Sequence, residues 1–448
     1  MRLRRAATGA LVGAVLITAA SDLTHLAVGE VVTGLWLLAS AALCVPLADT
    51  FARRFFVVLG TASVALVLAR RLPWSVAWSG AVTGGTVLVF LLLVEFLGAA
   101  IQVGGYDRAL TALLARRARS GSSARRAAWI GAFTLASIGM FMASVPAVYY
   151  ALGLGGDERR LPLVVGATRG FAAAVLVNPL SPLVVIALSI SGAPFGRYLL
   201  YALPVFVLML AVEWWAGARS AAAPPELPEA DPAEPLWQRR HTLALMGAVV
   251  AFVLAYGFLS LLDAGALMST ALSVAAAAGA LGLAAPSRWP RSLGAVPAER
   301  FPKHFGAAPL FVGGGLFGNV LVHSGLLDPV IGAMQGVPVP WLWVPFIVAL
   351  VLLLRWLGVA PTVSVLIVGP VLAGAVSITP ALYALALVFG GVMAFLGSPL
   401  SGTNLFVAGA TGLSPLQVSV RLQGGYVLAT MALFLGYAWV LQVLGTPF

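Results

Sequence analysis

Long apolar runs alternate with short polar or basic breaks along the whole chain. Uninterrupted runs cover about residues 6–21, 31–47, 55–69, 76–103, 198–215, 243–262, 267–283 and 307–326, and a last one ends near Val443. Apolar stretches of this length with few charges predict transmembrane helices. Two further runs, 163–190 and 381–410, are broken near their middles. One break reads Asn178-Pro179-Leu180-Ser181-Pro182, and the other reads Ser398-Pro399-Leu400-Ser401-Gly402-Thr403-Asn404. Proline removes a backbone donor and clashes with the preceding turn, so each helix is expected to open there. Open backbone at membrane depth is tolerated only where protein or a wet cavity surrounds it.

Two other apolar segments, 127–154 and 341–374, turn back on themselves in pattern. Their tips fall at Ser144-Val145-Pro146 and Gly358-Val359-Ala360-Pro361. A full crossing by the first would leave Arg159 and Arg160 outside, against the basic bias of cytoplasmic loops, so a re-entrant hairpin is expected. The expected fold class is an all-α polytopic membrane protein of about eleven transmembrane helices plus two re-entrant hairpins. Arg2, Arg4 and Arg5 place the N-terminus in the cytoplasm. Arg53, Arg54, the basic 116–126 loop and the Arg288–Lys303 loop follow the same rule, while Arg70-Arg71 is its one exception.

The two halves align at a constant offset of 220 residues, pairing Gly98 with Gly318, Gly105 with Gly325, Pro179 with Pro399, and Ser181 with Ser401. The hairpin prolines Pro146 and Pro361 align after a small gap. The order of span, hairpin, broken span and closing span occurs twice, with opposite direction in the two copies. Such a pattern predicts inverted repeats with twinned broken helices at a transporter's substrate site. The expected organisation is N-terminal peripheral helices over 1–54 and a first repeat over 55–217. A proline-rich cytoplasmic linker over 218–240, a connecting helix over 241–265 and a second repeat over 266–448 complete it.

Composition narrows the function classes. Of 448 residues, 61% are hydrophobic and 9% charged, which excludes a soluble globular chain. The net charge of +11 reads as loop topology, so no nucleic acid partner is expected. The single cysteine, Cys44, excludes an intrachain disulfide, and His25, His241, His304 and His323 show no metal-ligand spacing. No cofactor is expected. The basic, apolar start is read as an uncleaved first helix. Gly313-Gly314-Gly315-Leu316-Phe317-Gly318 lacks the strand and acid of a dinucleotide site; Gly314 and Gly318 are expected to permit close helix packing.

The layout resembles the divalent anion/sodium symporters and the wider ion transporter superfamily, which includes citrate, arsenite and gluconate-type carriers. In the symporters the hairpin tips carry Ser-Asn-Thr; here the tips read Ser144-Val145-Pro146 and Ala360-Pro361-Thr362. The resemblance implies an elevator mechanism on a homodimeric scaffold in the cytoplasmic (inner) membrane of a prokaryote.

Hydroxyls and amides at opened helix ends can hold an anion with backbone donors, while freed carbonyls can coordinate sodium. Candidate substrate ligands are Ser144, Asn178, Ser181, Arg355, Thr362, Ser398, Ser401, Thr403 and Asn404. Candidate sodium ligands are Ser144, Asn178, Ser181, Ser401, Thr403 and Asn404. Arg355 lies roughly 21 Å along a helix from Trp341 and either binds the anion or pairs with Glu95. Arg169 is expected to snorkel to the cytoplasmic surface, and Glu213 and Asp328 to be interfacial. The function read from these features is secondary transport of a small anion, such as a carboxylate, coupled to sodium or protons. The alternatives are a sodium/proton antiporter, a metalloid exporter, and a membrane enzyme or lipid-handling protein.

Overall fold

The computed structural model describes residues 2–24, 27–106, 161–218, 239–261, 266–283, 286–335 and 339–444. The first expected hairpin (127–154), its tip residue Ser144, the 116–126 loop and nearly all of the 218–240 linker lie outside the described residues. Among the described residues every regular element is helical. In chain order they are α1 (Arg2–Thr24), α2 (Ala27–Cys44), α3 (Thr50–Ala69), α4 (Ser75–Gly104), α5 (Leu161–Val177), α6 (Pro182–Ser191) and α7 (Phe195–Ala218). Then come α8 (Arg239–Leu261), α9 (Ala266–Gly282), α10 (Trp289–Glu299), α11 (Ala307–His323), α12 (Asp328–Gln335), α13 (Trp343–Trp356) and α14 (Pro361–Ala373). The chain finishes with α15 (Pro380–Gly397), α16 (Gly402–Thr411), a π-helical turn (Gln417–Leu422) and α17 (Gly424–Val443).

Nine helices among the described residues are long and apolar enough to cross a membrane, or ten if the pair α10–α11, bent by 63°, is taken as one span. Each of the eleven runs anticipated from sequence is helical. The lower count arises because α9 and α11 have only 17 residues each, about 26 Å at ~1.5 Å per residue, at the bottom of the spanning range. The α13–α14 pair is short for the same reason, at 14 and 13 residues, and its break falls at 357–360, the anticipated tip.

The chain divides into two compact units, each assembled from separate stretches of sequence. The first comprises Met1–Gly104, Arg239–Pro338 and Leu366–Val376. Its centre is α4, which packs against α11, α9 and α2. The α4–α11 crossing brings backbones together: a Cβ on Gly80 would lie 2.8 Å from the Gly315 carbonyl oxygen, and one on Gly315 would lie 2.5 Å from that of Gly80. Only residues without side chains allow this approach. Gly315, next to the Gly314 expected to permit close packing, makes this contact with α4. Gly318 closes on Leu366 instead, where a Cβ would meet the carbonyl oxygen at 3.1 Å. Glu95, on α4, accepts from Arg300 (3.1 Å) and bonds the His304 imidazole (2.9 Å), and Arg300 also donates to Gln102 (2.5 Å). This cluster ties the bend between α10 and α11 to α4.

The second unit comprises Gly105–Gln238, Val339–Val365 and Ser377–Phe448. Here α15 is the core: every residue from Ala381 to Leu396 is buried. A helix that is apolar all round must be enclosed on all sides, and α5, α6, α7, α13 and α17 supply the cover. Local structure repeats at the offset read from sequence. Helices α6 and α16 are both ten residues long, begin after Ser181 and Ser401, and end on left-handed glycines, Gly192 (φ 68°) and Gly412 (φ 74°). A left-handed residue at that position satisfies the last carbonyls, and glycine adopts it without steric cost.

Candidate functional site

Both broken spans belong to the second unit, and in both the opening follows from the same chemistry. An α-helical carbonyl needs the amide four residues on. For Val175 and Phe395 that position is Pro179 and Pro399, which have no N–H. The chain then turns: the Leu180 amide donates to Asn178 Oδ1 (2.9 Å), and the Leu400 amide donates to Ser398 Oγ (3.2 Å). The Ser181 and Ser401 amides donate to the Asn178 and Ser398 carbonyls at 3.0 and 3.1 Å. All four of these polar side chains are buried, at 0–1% exposure. Burial at a membrane-depth turn means that each polar atom needs a partner from protein, water or ligand.

The second break meets that need from within. Ser401 Oγ accepts from the Asn404 amide (3.1 Å) as the N-cap of α16. Thr403 Oγ1 lies 3.1 Å from Ser401 Oγ and donates to the Phe395 carbonyl at 3.0 Å, replacing the amide that Pro399 lacks. Asn404 Nδ2 donates to the carbonyls of Leu396 (2.7 Å) and Ser398 (2.9 Å). Two of the sequence candidates, Thr403 and Asn404, thus close the C-terminal end of α15, and Ser401 caps α16. Asn404 Oδ1 remains buried with no hydrogen-bond partner. Asn404→Ala would leave the Leu396 carbonyl buried and unpaired, so it is expected to cost ~1–3 kcal/mol. Thermal unfolding in detergent checks this; an unchanged midpoint would show that water replaces the amide.

Arg355 completes the second break. It is 6% exposed, donates to the Leu400 carbonyl and, from Nη1, to the Val359 carbonyl (3.3 Å). Its Nε is buried without a partner. Of the two roles open from sequence, pairing with Glu95 is replaced by the Arg300–His304 cluster described above. Thr362, at the start of α14, is half-buried.

The first break is less complete. Leu183 and Val184 stand where Thr403 and Asn404 stand in the second. Tyr198 Oη donates to the Leu176 carbonyl at 2.6 Å, doing part of the work of Asn404 from α7. Ser181 caps α6 without a side-chain hydrogen bond, and its Oγ is buried without a partner. Between α5 and α15, Phe171 and Phe395 pack edge to face at 6.1 Å.

A further polar cluster was missed by reading Arg169 and Glu213 separately. Arg169 does not snorkel, nor is Glu213 interfacial. They form a 2.6 Å ion pair with side chains only 11% and 1% exposed. Arg169 also donates to Gln423 Oε1 (2.9 Å) and the Leu422 carbonyl (2.5 Å), and stacks 4.7 Å over the Tyr426 ring. Gln423 Nε2 in turn donates to Thr168 Oγ1 at 2.7 Å. The available signal was two intramembrane charges of opposite sign in one half of the chain, which demand a partner inside the protein.

No protein-family model matches the chain, and no curated protein matches it. Among solved structures, the crystal structure of the Alcanivorax borkumensis YdaH transporter, described as having an unusual topology, is similar with a TM-score of 0.48 and 16% sequence identity, over 80% of this chain and 85% of that one.

Proposed function

We propose that this chain is a secondary active transporter of a small anion, with the substrate and a coupling cation held at the two broken spans of the second unit. The observation that carries the reading is a set of buried, unpartnered polar atoms at those breaks: Ser181 Oγ, Asn404 Oδ1 and Arg355 Nε. Unmet buried polar atoms require an explanation, and a polar ligand supplies one. The N-termini of α6 and α16 offer backbone donors and positive dipole ends suited to a carboxylate or similar anion. The C-terminal end of α5, where Pro179 brings no amide to the Val175 carbonyl, and the unpartnered Ser181 hydroxyl offer the hard neutral oxygens that sodium takes. Ser144 and Thr362, at the anticipated hairpin tips, would complete the two ends of the site. In this reading the second unit travels as one body across the bilayer.

The test is a screen of the purified full-length protein against small carboxylates and inorganic anions. Thermal shift would be read in sodium and in choline chloride over a range of pH, followed by uptake into proteoliposomes. Ser181→Ala is the informative variant. Because its hydroxyl bonds nothing, its loss is expected to change stability by no more than about 0.5 kcal/mol. It is nevertheless expected to weaken cation-dependent uptake at least tenfold. Uptake equal to the parent's would remove Ser181 from the site, and the absence of any anion response would remove the transport reading itself.

Glu213 favours a second reading, sodium/proton antiport. Such exchange needs an intramembrane carboxylate, and Glu213 is a buried one.

A further inference from the structure

Resting on the transport reading above, we infer that the Arg355 guanidinium stands where a coupling cation would sit at the second break, so that the cation requirement falls on the first break alone.

The two breaks make the argument because they are built alike and finished differently. Each leaves the negative end of a helix dipole, α5 or α15, facing a polar turn. At the second break four backbone carbonyls are met by side chains, and Asn404 Oδ1 alone of its side-chain oxygens stays without a partner. Phe395 is met by Thr403, Leu396 and Ser398 by Asn404, and Leu400 by Arg355. The guanidinium reaches across to Val359 as well, just beyond the C-terminal end of α13. It thus gathers carbonyl oxygens from two helix ends, which is the coordination habit of a desolvated sodium ion. No carboxylate lies within ion-pair distance of it among the described residues. Carbonyls and helix ends therefore balance its charge, and that charge is permanent because arginine does not deprotonate.

The first break has no such resident among the described residues. Leu180 takes the place of Leu400, and Leu183 and Val184 bring neither hydroxyl nor amide. Val175 has no amide at Pro179 to receive its carbonyl, and the buried Ser181 hydroxyl has no partner. One opening carries its own cation; among the described residues the other carries none and keeps a buried, unpartnered hydroxyl.

The experiment measures sodium on the purified full-length chain, without substrate. Thermal unfolding is followed across a titration of sodium chloride against choline chloride at constant ionic strength, with equilibrium binding of radiolabelled sodium for stoichiometry. The parent is expected to show one saturable sodium response and one sodium per chain, both abolished by Ser181→Ala. Arg355→Ala is expected to unfold at lower temperature in choline, to recover in sodium, and to bind two sodium ions. Arg355→Lys, which keeps a positive charge, is expected to behave as the parent. A fall in unfolding temperature that is the same in both salts for Arg355→Ala would make Arg355 a plain brace and overturn the inference. So would collapse of Arg355→Lys, or a sodium response that survives in Ser181→Ala. Sodium stoichiometry is read independently of anion uptake, so failure here and failure of the transport reading give different results.

Discussion

Glu213→Ala is expected to lower the stability of the folded protein by about 3–5 kcal/mol, the largest loss for any single truncation of a charged side chain considered above. The cost comes from what remains. Arg169 would keep its full charge inside the second unit, with Gln423, the Leu422 carbonyl and the Tyr426 ring as its remaining partners among the described residues. The reverse truncation, Arg169→Ala, strands the carboxylate and is expected to be as severe. Replacing both together, with Arg169→Met and Glu213→Leu, is expected to recover most of the loss. A buried pair roughly breaks even against apolar groups of similar volume. Chemical unfolding of the four proteins in one detergent gives the coupling energy by a double-mutant cycle. Near-additive losses would mean that the pair is solvated in practice. If the double variant folds but no longer exchanges sodium for protons, the antiport reading gains its carboxylate.

The second large effect belongs to the other unit. Gly84→Val is expected to prevent assembly of the α4–α11 crossing, because a Cβ at Gly84 would meet the Phe311 carbonyl oxygen in sub-van der Waals contact. Backbone on both sides leaves nothing to swing aside, so the cost reaches or exceeds the ~3 kcal/mol upper range of ordinary overpacking. Gly315→Ala should follow it, with its Cβ 2.5 Å from the Gly84 nitrogen. Gly60→Ala is the control. It lies in α3 with nothing within 4 Å of a new Cβ, so the helix should gain about 0.5–1 kcal/mol. Size-exclusion profiles of detergent-solubilised protein separate the outcomes. A monodisperse Gly84→Val protein would show that the two helices can move apart.

The helices and both breaks were legible because they depend on local chemistry. Apolar runs of spanning length have few other uses, and a proline four residues after a carbonyl opens a helix wherever it occurs. The shared offset was legible too, and Ser181/Ser401 and Gly192/Gly412 carry it into similar backbone conformations at the helix ends. What sequence could not supply was the identity of partners across helices. Arg169 is nine residues before Asn178, a distance equally suited to snorkelling and to burial, and only the position of α7 decides for burial. Arg355 bonds backbone oxygens, which leave no trace in residue type. Thr403 and Asn404 looked like open ligands, whereas they are mostly spent on the carbonyls of α15. A serine followed three residues later by a side chain able to reach back is an N-cap signal, and giving it more weight would have anticipated part of this.

The π-helical turn Gln417–Leu422 has a consequence for how the last span is wound. A wide turn accommodates one residue more than an α-helical turn, which rotates everything after it by about 100° relative to an unbroken helix. Just past that turn Gln423 and Tyr426 both meet Arg169, and the Leu422 carbonyl at its end accepts from it. α7, at the corresponding place after Gly192, runs as ordinary α-helix and contributes Glu213 instead. Arg169 is therefore gripped from two directions within the second unit, by the residues around the end of the π turn and by the carboxylate of α7.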